Sequence, residues 1–396
     1  MFTPNISEFP KFDLLNLLTT CFGKPTKLTK LCVLIDLPEL DLMIDHNFMQ
    51  DGKFTVQTHG VKEFYNPLKG QIGENLNLVQ VDLFAFKTTY GSNLDPDDDA
   101  IDSNGKRLSL DNDIYPNYDI ILATTDYSLT APLTAKAKQY GFRGATLHGL
   151  NDIILNSGLS VNYNTISDQA EVFRNVLTAS DSFEISFEAL NEEYNLRIFV
   201  DKQDAQKSHG LCPEGKPDVA NLPAGEVYFV PTGAEGSFPF RYSDGTLAEM
   251  IVHEGKIISA KFIQGDTKLV NDRNEQLKDD PATGIIGELG FGTQLLPFSG
   301  KDIQDEKIFG TCHVATGRSD HLGGNLTPEL FNSKMNASHD DILYAPPKTP
   351  EINVSSVFMH KDGATSKIFS NYEPTPWLLE KVSSVYPVEK FSTVSA

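Results

Sequence analysis

The residues of this chain best suited to chemistry fall between positions 221 and 341. Glu226 and Glu288 each sit in glycine-rich sequence, His313 lies between glycines, and His339-Asp340-Asp341 follows. Two imidazoles and at least three carboxylates form a ligand set that a pair of divalent ions could use. In an extended segment residues two apart share a face, so His339 and Asp341 point together and Asp340 points away. Glu288 is surrounded by apolar residues and glycines. Buried there, it must find a cation, a metal or its own proton, and the glycines let something approach the backbone closely. Taken singly, each residue also has a plainer reading. His313 reads equally as a hydrogen-bonded core histidine, and Glu226 as a charge at a strand end. Cys312 alternates to the opposite face from His313 and reads as a packed thiol.

The elements that must position these groups fall into two portions. Residues 31–35, 76–86, 118–123 and 144–147 have the apolar, β-former character of buried strands. Residues 133–140 read as a helix stopped by Gly141. Alternating strands and helices favour a mostly parallel sheet with helices packed on it. Ligands often bind at the carboxyl ends of such strands, which leaves Asp36 and Asp126 open to a binding role or a capping one. Residues 93–113 form an aspartate-rich stretch that fails as an EF-hand. Ala100 occupies the glycine position and Lys106 the closing glutamate position, so a solvated loop is expected. Apolar residues at helical spacing predict a helix over 165–180, capped by Thr165 or Ser167. Beyond it the pattern becomes β-rich, with a hairpin turning at Glu254-Gly255 and a short helix over 266–279. The expected organisation is an N-terminal α/β domain over 1–182, followed by a β-rich α+β metal-binding domain over 183–396.

Composition narrows the partners. A formal charge of −21 over 396 residues repels nucleic-acid phosphates and anionic membrane surfaces, so neither is expected as a partner. No secretory signal opens the sequence, no run approaches a membrane span, and the four cysteines have no paired spacing. A cytoplasmic, reducing location with free thiols is the simplest expectation. The chain lacks a Gly-x-Ser-x-Gly elbow, a P-loop and an HExxH motif.

Four segments occur in a telling order. They are Asn221-Leu222-Pro223-Ala224-Gly225-Glu226-Val227, Gly287-Glu288, His313-Val314-Ala315-Thr316-Gly317 and His339-Asp340-Asp341. As an ordered set this resembles the aminopeptidase T family of metallopeptidases, over roughly residues 221–341. The resemblance implies that Glu226, Glu288, His313, His339 and Asp341 hold two divalent ions, such as zinc, cobalt or manganese. It also implies a homodimer acting on a small peptide or other small-molecule substrate. One position departs. Where the family has a tyrosine seven residues after the first histidine, this chain has Asp320, followed by His321 and Gly323-Gly324. A phenol could donate to an oxyanion, whereas an ionised carboxylate cannot. Weak activity on simple aminoacyl amides is therefore expected, with Glu226 or Asp320 as candidate proton shuttle.

The same residues admit two other readings. His313, His339 and Asp341 alone make a two-His, one-carboxylate set suited to mononuclear Fe(II). That reading resembles dihydroxypyridine ring-cleaving dioxygenases. A metal-binding protein without catalysis is the third.

Overall fold

The structure is a computed structural model that describes residues 1–387, 390 and 391. The chain forms two compact units. One comprises Asn5–Ser167 and His209–Ala224; the other comprises Met1–Pro4, Asp168–Ser208 and Gly225–Ala396. Where a single crossing near residue 182 is expected, the chain crosses four times: after Pro4, inside the helix Tyr163–Leu177, after Ser208 to return to the first unit for residues 209–224, and after Ala224, just before Glu226. The returning piece is needed because its strand Val219–Asn221 pairs with Arg143–Thr146 and extends the first sheet.

The first unit is α/β, as its alternating pattern predicts. Five parallel strands run in the order Leu78–Lys87, Thr29–Leu37, Ile120–Thr124, Arg143–Thr146, Val219–Asn221. Their near-continuous apolar runs, such as Leu31-Cys32-Val33-Leu34-Ile35, are buried, as strands covered on both faces must be. The helix Thr130–Tyr140 ends where Gly141 adopts φ 86, the left-handed stop its sequence announced. The aspartate-rich stretch is more ordered than a solvated loop. It contains two short antiparallel strands, Asp99–Ile101 and Arg107–Ser109, which finish one edge of the sheet. Its acids work as caps there: Asp98 accepts from the Asp111 N–H (2.7 Å) and from Ser109 Oγ (2.7 Å). The helix expected over 165–180 spans Tyr163–Leu177 instead, and Asn162 rather than Thr165 or Ser167 accepts from its first turn.

The second unit is two packed antiparallel sheets. An eight-stranded sheet includes the hairpin Leu247–His253 and Lys256–Gln264, whose turn places Glu254 at φ 48 and Gly255 at φ 77. The positive φ at both turn residues is what a two-residue hairpin of this twist requires. Asp266 caps the helix Thr267–Asp279 that follows. The second sheet has five strands: β1 (Gln206–Ser208), β2 (Glu226–Phe229), β3 (Ile286–Gly292), β4 (Cys312–Gly317) and β5 (His339–Tyr344). They lie side by side in chain order, each antiparallel to the next. Between the sheets lies a core that includes Phe183, Phe187, Phe229, Phe291, Val314 and Tyr344, all buried. Phe183 meets Phe229 and Phe291 with ring centroids 5.3 and 5.4 Å apart, and Phe187 meets Tyr344 at 4.6 Å. Alternation in β2–β5, broken by a bulge between Ile286 and Glu288, sends one set of side chains into this core and the other set to the opposite face.

Candidate metal centre

That opposite face carries every ligand candidate. Val227 and Phe229 of β2 enter the core, which leaves Glu226 outward. Leu289 and Phe291 of β3 do the same for Glu288, Cys312 and Val314 of β4 for His313, and Tyr344 of β5 for Asp341 and His339. Strand register brings them together. Ala315 of β4 lies opposite Glu288 on one side and Asp341 on the other, and its small side chain leaves both carboxylates room. His313 lies opposite Gly290, where a Cβ atom would stand 2.1 Å from the imidazole Cε1. Only glycine at 290 leaves that ring its place. Gly292 plays the matching part for the loop above, since a Cβ there would meet the Ile308 carbonyl oxygen at 2.2 Å.

The gathered groups are buried: Glu226, Glu288, His313 and His339 are each no more than 6% exposed. His313 Nε2 lies 3.5 Å from Glu288 Oε1, 3.8 Å from Glu226 Oε2 and 4.0 Å from Asp341 Oδ1. His339 Nε2 lies 3.0 Å from Glu288 Oε2 and 3.3 Å from Asp341 Oδ1. Its Nδ1 is 2.6 Å from the Arg318 carbonyl oxygen. A carbonyl only accepts, so Nδ1 carries the proton and Nε2 turns towards the carboxylates, as a ligating imidazole does. His313 Nδ1 is buried with no hydrogen-bond partner.

Three compact ligand groups emerge, each with its donor atoms within 4.8 Å of one another: Glu226–Glu288–His313, Glu288–His339–Asp341 and Glu306–His313–Asp341. Glu288 belongs to two of them, through its two oxygens. These buried groups could hold a metal ion, because each offers the mixed nitrogen and oxygen donors that borderline divalent cations accept.

Charge explains why they are not simply a buried liability. Lys307, wholly buried, donates to Glu226 Oε1 at 2.7 Å and to Glu306 Oε1 at 2.6 Å. Counted as fully ionised, four carboxylates (Glu226, Glu288, Glu306, Asp341) and one ammonium sum to −3, a charge that proton uptake by Glu306 and the imidazoles reduces. Burial alone would raise the Glu288 carboxyl, but His313 and His339 hold it down to about 2. Burial likewise opposes the cationic form of His313, yet Glu288 and the other carboxylates lift it to about 9. Glu306 has gone the other way. Burial first, then Asp341 and Glu226, push it up to about 8 against the pull of Lys307.

All five expected ligands therefore converge. Asp320 stands apart from the three groups. Its two oxygens take a two-point contact from Arg318 (Nε 2.7 Å, Nη2 3.2 Å), with His321 Nδ1 at 3.9 Å. Burial favours its neutral form, but His321 and Arg318 together hold its carboxyl well below the usual range. A carboxylate so held is a weaker base than a free one. His321 itself lies edge-on to His339, ring centroids 4.9 Å apart. Asp340 points away as expected and accepts from Ser338 Oγ at 2.6 Å. Glu306 and Lys307 escaped the sequence reading. They lie in a loop with no periodicity, and the sole hint is an opposite-charge pair set directly before Ile308-Phe309.

No protein-family model matches the chain, and no curated protein matches its sequence.

Proposed function

We propose that the chain is a metal-dependent hydrolase of the aminopeptidase T type, with two divalent ions sharing Glu288. The observation that carries this is the division of the ligands. No group among the described residues holds both imidazoles: the two groups of His313 share Glu288 or Asp341 with the group of His339, whereas His313, His339 and Asp341 do not form a group of their own. That arrangement favours two ions over the mononuclear Fe(II) reading. Glu226, Glu288 and His313 would hold one ion; Glu288, His339 and Asp341 would hold the other. When bound, such a pair lowers the pKa of a water and polarises a substrate carbonyl.

The chain's own residues do the rest. Lys307 fixes Glu226 by occupying Oε1, so that Oε2 is the oxygen facing His313. The Arg318 carbonyl fixes the ring of His339. Glu306, anchored through Oε1 and holding its own proton below about pH 8, would supply a proton to the leaving amine. The phenol of the resembled family has no counterpart at Asp320, whose Arg318 contact removes it from that work.

The test is hydrolysis of leucine p-nitroanilide by the chain reconstituted separately with Zn, Co and Mn. Slow, metal-dependent release of nitroaniline that disappears in Glu288→Gln supports the reading. Turnover by the metal-free chain, or oxygen-dependent cleavage of a dihydroxypyridine by an iron-loaded one, overturns it.

A further inference from the structure

The surroundings of the two imidazoles in the metal centre are not alike. His313 Nε2 has three carboxylates around it: Glu288 Oε1 at 3.5 Å, Glu226 Oε2 at 3.8 Å and Asp341 Oδ1 at 4.0 Å. A fourth, Glu306, forms a ligand group with His313 and Asp341. His339 Nε2 has two, Glu288 Oε2 at 3.0 Å and Asp341 Oδ1 at 3.3 Å, and belongs to a single group. The spacing differs as well. Donors 3.0 and 3.3 Å from the imidazole nitrogen are close to what bonds of about 2.1 Å need at a tetrahedral angle. Around His313 the donors stand further apart and are more numerous. A third difference lies behind the rings. His339 donates from Nδ1 to the Arg318 carbonyl, the support a zinc-ligating imidazole ordinarily has, whereas His313 Nδ1 is buried without a partner.

We propose that the two positions select different ions: zinc beside His339, and a harder, oxygen-preferring ion such as manganese beside His313. The inference rests on the two-ion reading above and deepens it. Carboxylate oxygen suits manganese, and imidazole suits zinc. Because raw affinity favours zinc over manganese at either position, ligand type and geometry must make the choice. Glu288, His339 and Asp341 supply three protein ligands, the number zinc takes where a fourth position stays open. A harder ion takes six oxygen-rich ligands, a number that only the surroundings of His313 approach. Lys307 does not alter this choice. It occupies one oxygen each of Glu226 and Glu306, and its ammonium repels every divalent ion alike. It weakens binding beside His313 without preferring one ion to another.

The experiment grows crystals of the full chain, freed of metal by a chelator and then given one equivalent of zinc with manganese in about hundredfold excess. Anomalous maps on either side of the zinc edge, and at longer wavelength for manganese, identify the ion at each position. Zinc occupancy beside His339 should exceed that beside His313 by about tenfold or more, with manganese beside His313. Glu226→Gln removes an oxygen donor from the His313 position alone. It should lower manganese there by about tenfold or more and leave zinc beside His339 as in the parent. Zinc divided equally, zinc seated beside His313, or manganese unchanged in Glu226→Gln would each overturn this inference while leaving two ions in place. A single ion, or none, would overturn the two-ion reading and this inference with it. The parent crystals decide the matter even if the variant does not fold.

Discussion

Glu288 and Asp36 are both buried carboxylates on β-strands, and their environments push them in opposite directions. Glu288 is held down to about 2 by two imidazoles, whereas Asp36 is lifted to about 6 by burial and a neighbouring acid. The contrast teaches that burial raises both carboxyls and that charged partners decide whether the rise is reversed. Around Glu288 the chain supplies His313, His339 and, one step away, Lys307. Around Asp36 it supplies the Gln57 amide, the Asp126 backbone N–H and the Thr88 hydroxyl, all neutral. One cluster offers groups that could hold a metal ion, and the other keeps a carboxyl whose proton leaves only near pH 6.

The contrast can be broken most sharply at Glu288. Replacing it by Gln removes an oxygen donor shared by two ligand groups, so metal affinity should fall by more than the roughly 10–100-fold that outer partners cost. Circular dichroism should show an intact fold, and elemental analysis should show fewer than two ions per chain. Retention of two ions in Glu288→Gln would refute the sharing. Next in size is Lys307→Met, which strands Glu226 and Glu306 in the interior. The metal-free variant should lose about 3–5 kcal/mol in urea unfolding, because breaking a buried pair leaves uncompensated charge. A variant as stable as the parent would show that water screens these carboxylates.

Asp36→Asn sharpens the other half. The folded pKa of Asp36 lies above its unfolded value of 3.8, so its contribution is complete below that pH and is lost as pH rises through about 6. The parent should therefore lose about 3 kcal/mol between pH 4 and 8 that the Asn variant keeps. Parallel stability curves for the two proteins would contradict the raised value. The smallest effect is expected at Asp320. Its Asn variant should keep full metal content, since the Arg318 contact places this residue outside the ligand groups. Loss of an ion in that variant would return Asp320 to the site.

Much of this was legible in the sequence because β-strands alternate. Once residues 286–292, 312–317 and 339–344 are read as strands, Glu288, His313, His339 and Asp341 must share a face opposite Leu289, Val314 and Tyr344. The glycines flanking Glu288 also declared close approach, and Gly290 and Gly292 provide it for His313 and Ile308. Loops carry no such periodicity. Glu306 and Lys307 therefore stayed hidden, and the aspartates of residues 93–113 read as solvated although several cap a small hairpin. The return of residues 209–224 to the first unit was unreadable for a different reason. A three-residue strand such as Val219–Asn221 is fixed by the open sheet edge it joins rather than by its own pattern.

The central claim is that two cations share one carboxylate, and anomalous scattering from crystals of the zinc- or manganese-loaded chain tests it most directly. The account predicts two peaks per chain, one beside Glu226 and His313, the other beside His339 and Asp341, with Glu288 touching both. A single peak ligated by His313, His339 and Asp341 together, with Glu288 uninvolved, would contradict it.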